Sequence, residues 1–236
     1  MLLALALLQA PGADSAPSAG GGTEGCGTDA VADYEALRAH LTRADRPSGT
    51  RYYEHSGSDT TATAWSHGQA SAGAMDIALT CDGWAGARRS VLGLERFRRG
   101  RSYNPAVGGG DQDRFYDDNA WIGLDFIQAL ETSGQVRYLE RAERVFSFLE
   151  RGFSPNGGLY WNENTTAYLS WRNAATNGPA LQLALHLFEE TGKAGYLDRA
   201  MRLDRFLNQE LRTPEGLIYD GVTDDGFVDR RLWTYN

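Results

Sequence analysis

The chain has 236 residues, average apolar content and a formal net charge of −8. That length buries a sizeable core. The negative charge argues against a phosphate-binding surface of the kind nucleic acid needs, and against anionic membranes.

Met1 to Ala10 is almost wholly apolar and is followed by Pro11-Gly12 and small residues. This is the pattern of a signal-peptide apolar region, too short to span a bilayer. Cleavage is expected at Ala13-Asp14-Ser15, giving a signal peptide over 1–15, a flexible leader over 16–28 and one domain over 29–236. The product is then secreted or cell-wall associated, with no membrane contact after cleavage, and is expected to be a monomer. Cys26 and Cys81 permit one disulfide in an exported chain, or are two unrelated thiols. His40, His55, His67 and His186 stand in no ligand spacing, so no metal and no cofactor are expected.

Helical spacing then predicts seven helices in order. They are Asp29–Arg43, Ala62–Leu79, Trp84–Phe97, Asn119–Thr132, Val136–Arg151, Asn177–Thr191 and Tyr196–Leu211. The fifth is amphipathic, with Leu139, Ala142, Val145, Phe146 and Leu149 opposite Glu140, Arg141, Glu143 and Arg144. The sixth is apolar nearly all round and is expected to be buried. Between them, Gly152 to Asn173 is a loop crowded with Phe153, Tyr160, Trp161, Tyr168 and Trp171. No strand pairs are expected, so the fold class is all-α.

A repeat orders these helices. Tyr138-Leu139-Glu140-Arg141-Ala142 returns as Tyr196-Leu197-Asp198-Arg199-Ala200, an offset of 58 residues. The same offset carries Gly134 onto Gly192, Phe148-Leu149 onto Phe206-Leu207, and Gly158-Leu159 onto Gly216-Leu217. Each unit is a buried helix, a Gly turn, an amphipathic helix and a loop. Stacked hairpins of this kind make a two-layered toroid whose pocket lies among loops and inner-helix N-termini.

The chemistry gathers at Asp111-Gln112-Asp113-Arg114-Phe115-Tyr116-Asp117-Asp118-Asn119-Ala120-Trp121. Asp117 and Asp118 fall where the fourth helix begins, where free N–H groups favour negative charge. Two carboxyls held together repel, so one keeps its proton to higher pH. One ionised and one protonated carboxyl serve glycoside hydrolysis, whereas an over-supplied N-cap would be purely structural. The repeat favours chemistry, because the equivalent positions are Ala175 and Thr176. A calcium loop on Asp111, Asp113 and Asp117 fails, since Phe115 and Tyr116 stand where a ligand and a Gly belong.

Phe115-Tyr116-Asp117-Asp118-Asn119-Ala120-Trp121 resembles the acidic motif of glycoside hydrolase family 76, the endo-α-1,6-mannanases. Asn173-Ala174-Ala175-Thr176-Asn177-Gly178-Pro179-Ala180, Ile218-Tyr219-Asp220-Gly221 and Trp233-Thr234-Tyr235-Asn236 are similar to three further stretches of that family, in the same order. The resemblance implies an (α/α)6 toroid, here incomplete and C-terminally truncated. It also implies retaining, endo-acting hydrolysis of α-1,6-mannan, with Asp117 as nucleophile and Asp118 as acid/base. The expected substrate contacts are Asn119, Trp121, Trp161, Asn177, Asp220 and Tyr235. Asp220 would bind a hydroxyl, and Trp161, Trp171 and Tyr235 would stack on sugar faces; a turn and core packing are the competing roles. A non-catalytic carbohydrate-binding or cell-wall protein and a cell-wall transglycosylase are the alternative functions.

Overall fold

The computed structural model describes residues 28–43, 48–81, 83–108, 113–165 and 170–232. The expected signal peptide, the expected leader up to residue 27, Cys26, Asp111 and Tyr235 lie outside the described residues, while Thr28 already belongs to the first helix; Cys81 is not a free thiol.

Among the described residues, seven α-helices appear where periodicity places them. They are α1 (Thr28–Leu41), α2 (Ala64–Cys81), α3 (Trp84–Gly93), α4 (Tyr116–Ser133), α5 (Arg137–Leu149), α6 (Ala174–Thr191) and α7 (Ala194–Phe206). Helices α2, α4 and α6 pack side by side as an inner layer, and α3, α5 and α7 back them as an outer one. The protein is all-α, an arc of helical hairpins. No described helix is long and apolar enough to cross a membrane.

The repeat has a structural cause. Gly134 and Gly192, 58 residues apart, both end inner helices in the left-handed region with φ of +66°. Their N–H groups close back on Leu130 and Phe188 oxygens at 2.7 and 2.8 Å, the cap that glycine makes without steric penalty. The two inner helices also need one glycine between them: a Cβ on Gly123 would stand 2.3 Å from Leu183 Cδ2. Phe126, Tyr138, Phe146, Phe148, Leu149, Leu183 and Leu203 fill the space between the layers.

Three expectations need correction. Short strands do form: β1 (Arg98–Arg99) pairs antiparallel with β2 (Ser102–Tyr103). Strands β3 (Arg172–Asn173), β4 (Gly221–Val222) and β5 (Val228–Asp229) make a second antiparallel sheet. Two-residue strands carry no alternation that a sequence could show. Helices α4 and α6 each begin three residues before the predicted start, so Asp117 and Asp118 lie inside the first turn of α4. Finally, α6 is not buried all round: Leu185 is 37% exposed and Gln182 is open.

Candidate active site

The N-termini of α2, α4 and α6 converge on a cavity of about 1200 Å³. That exceeds the roughly 300–1,000 Å³ of a small-molecule site and suits a polymer groove. Helix α2 contributes Trp65 and Gln69, with Thr63 just ahead of it, α4 contributes Asp117, Asp118 and Trp121, and α6 contributes Ala175, Gly178 and Gln182.

Backbone pairing builds the acidic end. The loop after α5 runs antiparallel to the entry of α4, with Phe115 bridged to Asn162. Tyr116 N–H donates to Trp161 O at 2.8 Å, and Glu163 N–H donates to Arg114 O at 3.1 Å. Arg114 and Glu163 clamp the same junction through two bonds of 2.5 and 2.7 Å. Asp113 is absorbed here, accepting from Asn162 Nδ2 at 2.5 Å and Asn164 N at 3.1 Å. This brings the Trp161 indole, 44 residues distant in sequence, to 2.9 Å from Asp117 Oδ2 as a donor. The Phe115 ring packs against that indole at 5.0 Å between centroids.

The two carboxyls are therefore unlike. Asp117 accepts from Trp161 Nε1 and, at 2.8 Å, from Asp118 N–H. Among the described residues no donor reaches the Asp118 carboxyl. Burial raises the Asp117 pKa to about 6, opposed by those two donors. Burial and the neighbouring Asp117 charge raise Asp118 further, to about 7. Asp117 is the member that ionises first and Asp118 the one that holds its proton.

Trp121, Trp161, Trp171 and Asp220 all line the cavity. The Asp220 carbonyl receives the Ala174 N–H at 2.8 Å, which ties its loop to the start of α6; its carboxylate stands 4.0 Å from Arg231. Asn119 and Asn177 do not reach the cavity, a correction to their expected substrate contact: both are 0% exposed. Asn119 accepts from Tyr103 N–H at 2.8 Å and donates to Tyr103 O and Phe115 O. Asn177 does the same with Leu159 N–H at 2.7 Å, Leu159 O and Asn173 O. Both amides hold backbone, so they position the site from behind.

Trp65, Gln69, Gln182 and Arg231 are cavity residues that sequence reasoning missed. Trp65 had a signal: it is a large aromatic in the first turn of an alanine-rich inner helix, and it is 51% exposed. His67 is instead a core residue, 3.0 Å from Ser90 O and edge-on to Tyr52 and Phe97; burial lowers its pKa to about 4. Among the described residues no three His, Cys, Asp or Glu side chains converge to hold a metal ion.

A double layer of helical hairpins opens on a tryptophan-lined groove with two unlike carboxyls, the side-chain pair that glycosidic-bond hydrolysis generally uses. The chain belongs to glycosyl hydrolase family 76, whose sequence pattern matches residues 45–236. Among solved structures it is similar to a family 76 glycoside hydrolase from a bovine strain of Bacteroides thetaiotaomicron. They share 25% identity over 88% of this chain and 49% of that one, with a TM-score of 0.72. An α-mannanase of the same family from Bacteroides thetaiotaomicron is 21% identical over 88% and 60%, at TM-score 0.74. An inactive variant of an α-1,6-mannanase from Salegentibacter sp., with two consecutive aspartates replaced by asparagine and α-1,6-mannotriose bound, is 19% identical over 87% and 59%, at TM-score 0.69. The chain thus spans about half to three fifths of these relatives. No curated protein matches it.

Proposed function

We propose that the protein containing this chain is a secreted, retaining, endo-acting glycoside hydrolase that cleaves α-1,6-mannosidic linkages in mannan. The observation that carries the reading is the unequal carboxyl pair on the groove, one carboxyl with two donors and the other with none. Asp117, ionised, attacks the anomeric carbon, while Asp118 gives its proton to the departing glycosidic oxygen. A mannosyl ester on Asp117 results. Asp118, now a base, takes a proton from water, which attacks the anomeric carbon, breaks its bond to Asp117 and so regenerates that carboxylate, and releases a sugar of retained α configuration.

Trp121, Trp161 and Trp171 offer flat apolar faces to sugar rings, and Asp220 offers a carboxylate to a hydroxyl. The substrate class is supported by the mannotriose and mannotetraose held by inactive variants of a structural neighbour, whose two altered aspartates are consecutive, as Asp117 and Asp118 are. Export is supported by the apolar run Met1 to Ala10.

The test is digestion of linear α-1,6-mannan, with products followed by proton NMR from the first minutes. Release of oligosaccharides with α reducing ends is expected. A first product of β configuration would refute retention, and cleavage of another glycan with mannan left intact would refute the substrate.

A further inference from the structure

Helices α2, α4 and α6 present the same two register positions to the groove. The second residue of each is Trp65, Asp117 and Ala175, and the sixth is Gln69, Trp121 and Pro179; all six line the cavity. The fourth residue is buried in every case, as His67, Asn119 and Asn177, and each lies 3.0 Å from a backbone oxygen of the segment it ties down. Residues four apart share one helix face. The fold therefore fixes which positions face the groove and leaves their occupants free to differ.

Those occupants divide the groove into three. The α4 pair holds one catalytic carboxyl and a tryptophan. The α6 pair is a methyl group and a proline ring, with no side-chain donor or acceptor. The α2 pair offers a flat indole and a carboxamide. Trp65 is 51% exposed, and among the described residues no ring packs on it and no acceptor takes its indole N–H. Gln69 is exposed too, its amide without a partner among the described residues. Core packing accounts for neither. The start of α2 is nevertheless firmly held: Thr63 Oγ1 accepts from Ser66 N–H at 3.3 Å, and Ala64 N–H donates to Pro105 O at 2.9 Å. A ligand would meet a shelf already in place, which spares it the cost of ordering one.

An indole face suits the C–H face of a pyranose, and a carboxamide both donates to and accepts from neighbouring hydroxyls. Helix α4 packs between α2 and α6, so the shelf stands to one side of the carboxyl pair. At the α6 side Trp171 lines the cavity, with Phe227 edge-on to it at 6.0 Å and 59% exposed.

We propose that Trp65 and Gln69 form a further sugar subsite, which holds one residue of a linear oligosaccharide running across all three inner helices. The inference rests on the glycoside hydrolase reading for the cut at α4, and it supplies the grip beyond the cut that cleavage within a chain requires.

Calorimetric titration of the Asp117→Asn protein, which binds without cutting, compares α-1,6-mannotetraose with maltotetraose and cellotetraose. Mannotetraose is expected to bind. Adding Trp65→Ala should weaken it about tenfold or more, and adding Gln69→Ala about threefold, with ligand-free melting temperatures unchanged. Trp65→Phe, which keeps a smaller flat face, should recover most of the loss. Another tetrasaccharide bound in place of mannotetraose, with the same loss in Trp65→Ala, supports the shelf and overturns the mannan reading. Mannan digested by the native protein, with tetrasaccharide affinity undiminished in Trp65→Ala, overturns the shelf and leaves the mannan reading standing. The shelf also falls if no tetrasaccharide binds, or if Trp65→Ala lowers the melting temperature while Gln69→Ala binds normally, which would assign Trp65 to packing.

Discussion

Helices α4 and α6 start on one plan and diverge at the N-cap and at two positions after it. In each, the fourth residue is a buried asparagine whose amide pegs a neighbouring backbone segment: Asn119 holds Tyr103, and Asn177 holds Leu159. Around that peg α6 is capped without charge. Asn173 accepts from Thr176 N–H at 3.1 Å and from its hydroxyl, and Ala175 brings only a methyl group to the groove. In α4 the N-cap is Phe115, which offers no side-chain acceptor, and the two intervening positions are Asp117 and Asp118. Starting an inner helix in this fold therefore requires no carboxylate. The pair on α4 faces a groove and holds a proton near neutrality because both carboxyls are buried and the Asp117 charge adjoins Asp118.

The largest test of that contrast removes the carboxyls. Asp117→Ala should lower kcat on mannan by about 10⁴-fold or more, since no mannosyl ester can form. Asp118→Ala should lose as much on mannan and far less on a dinitrophenyl mannoside, whose leaving group needs no proton. Equal losses on both substrates for Asp118→Ala would show that Asp118 is not the acid.

Next come the pegs. Asn119→Ala and Asn177→Ala each leave buried backbone groups unpaired, and each should destabilise by about 3 kcal/mol, roughly 6–12 °C in Tm. Closely matched melting losses would confirm the shared plan, and widely different ones would break it.

A smaller effect concerns pH. With Asp117 near 6 and Asp118 near 7, kcat/KM should fall below about 6 as the nucleophile gains a proton and above about 7 as the acid loses one. Trp161→Phe removes a donor from the ionised Asp117, so the acid limb should move up and the bell narrow. An unmoved limb would mean that the indole does not tune Asp117.

The smallest effect lies deeper in the same helix. Asp125 is the repeat counterpart of Leu183; it is 4% exposed, with Oδ2 unpartnered, and burial holds its pKa well above the carboxylate range. The folded chain then binds this proton where the unfolded chain has lost it, so stability falls as pH climbs past about 4. Asp125→Asn should flatten that decline, by about 2–4 °C in Tm at neutral pH. Parallel curves for the two proteins would show that Asp125 does not titrate with folding.

The sequence by itself determined the helices, their order and their pairing. Heptad-scale spacing of apolar residues and two glycines 58 residues apart are local signals, and local physics acts on them directly. It also marked Asp117 and Asp118, because the repeat shows what the architecture places at those positions when no chemistry is asked of them. Only the tertiary structure decided that Asn119 and Asn177 point away from the groove, since burial depends on which backbone folds over an amide. The same holds for Trp65, Gln69, Gln182 and Arg231, which meet on one groove from distant parts of the chain. Above all it separated the two aspartates. Adjacent and identical in sequence, they become unlike because a loop 44 residues away lays one indole N–H on Asp117 and nothing on Asp118. A pKa is set by what surrounds a carboxyl in space, and no reading of neighbours along the chain contains that.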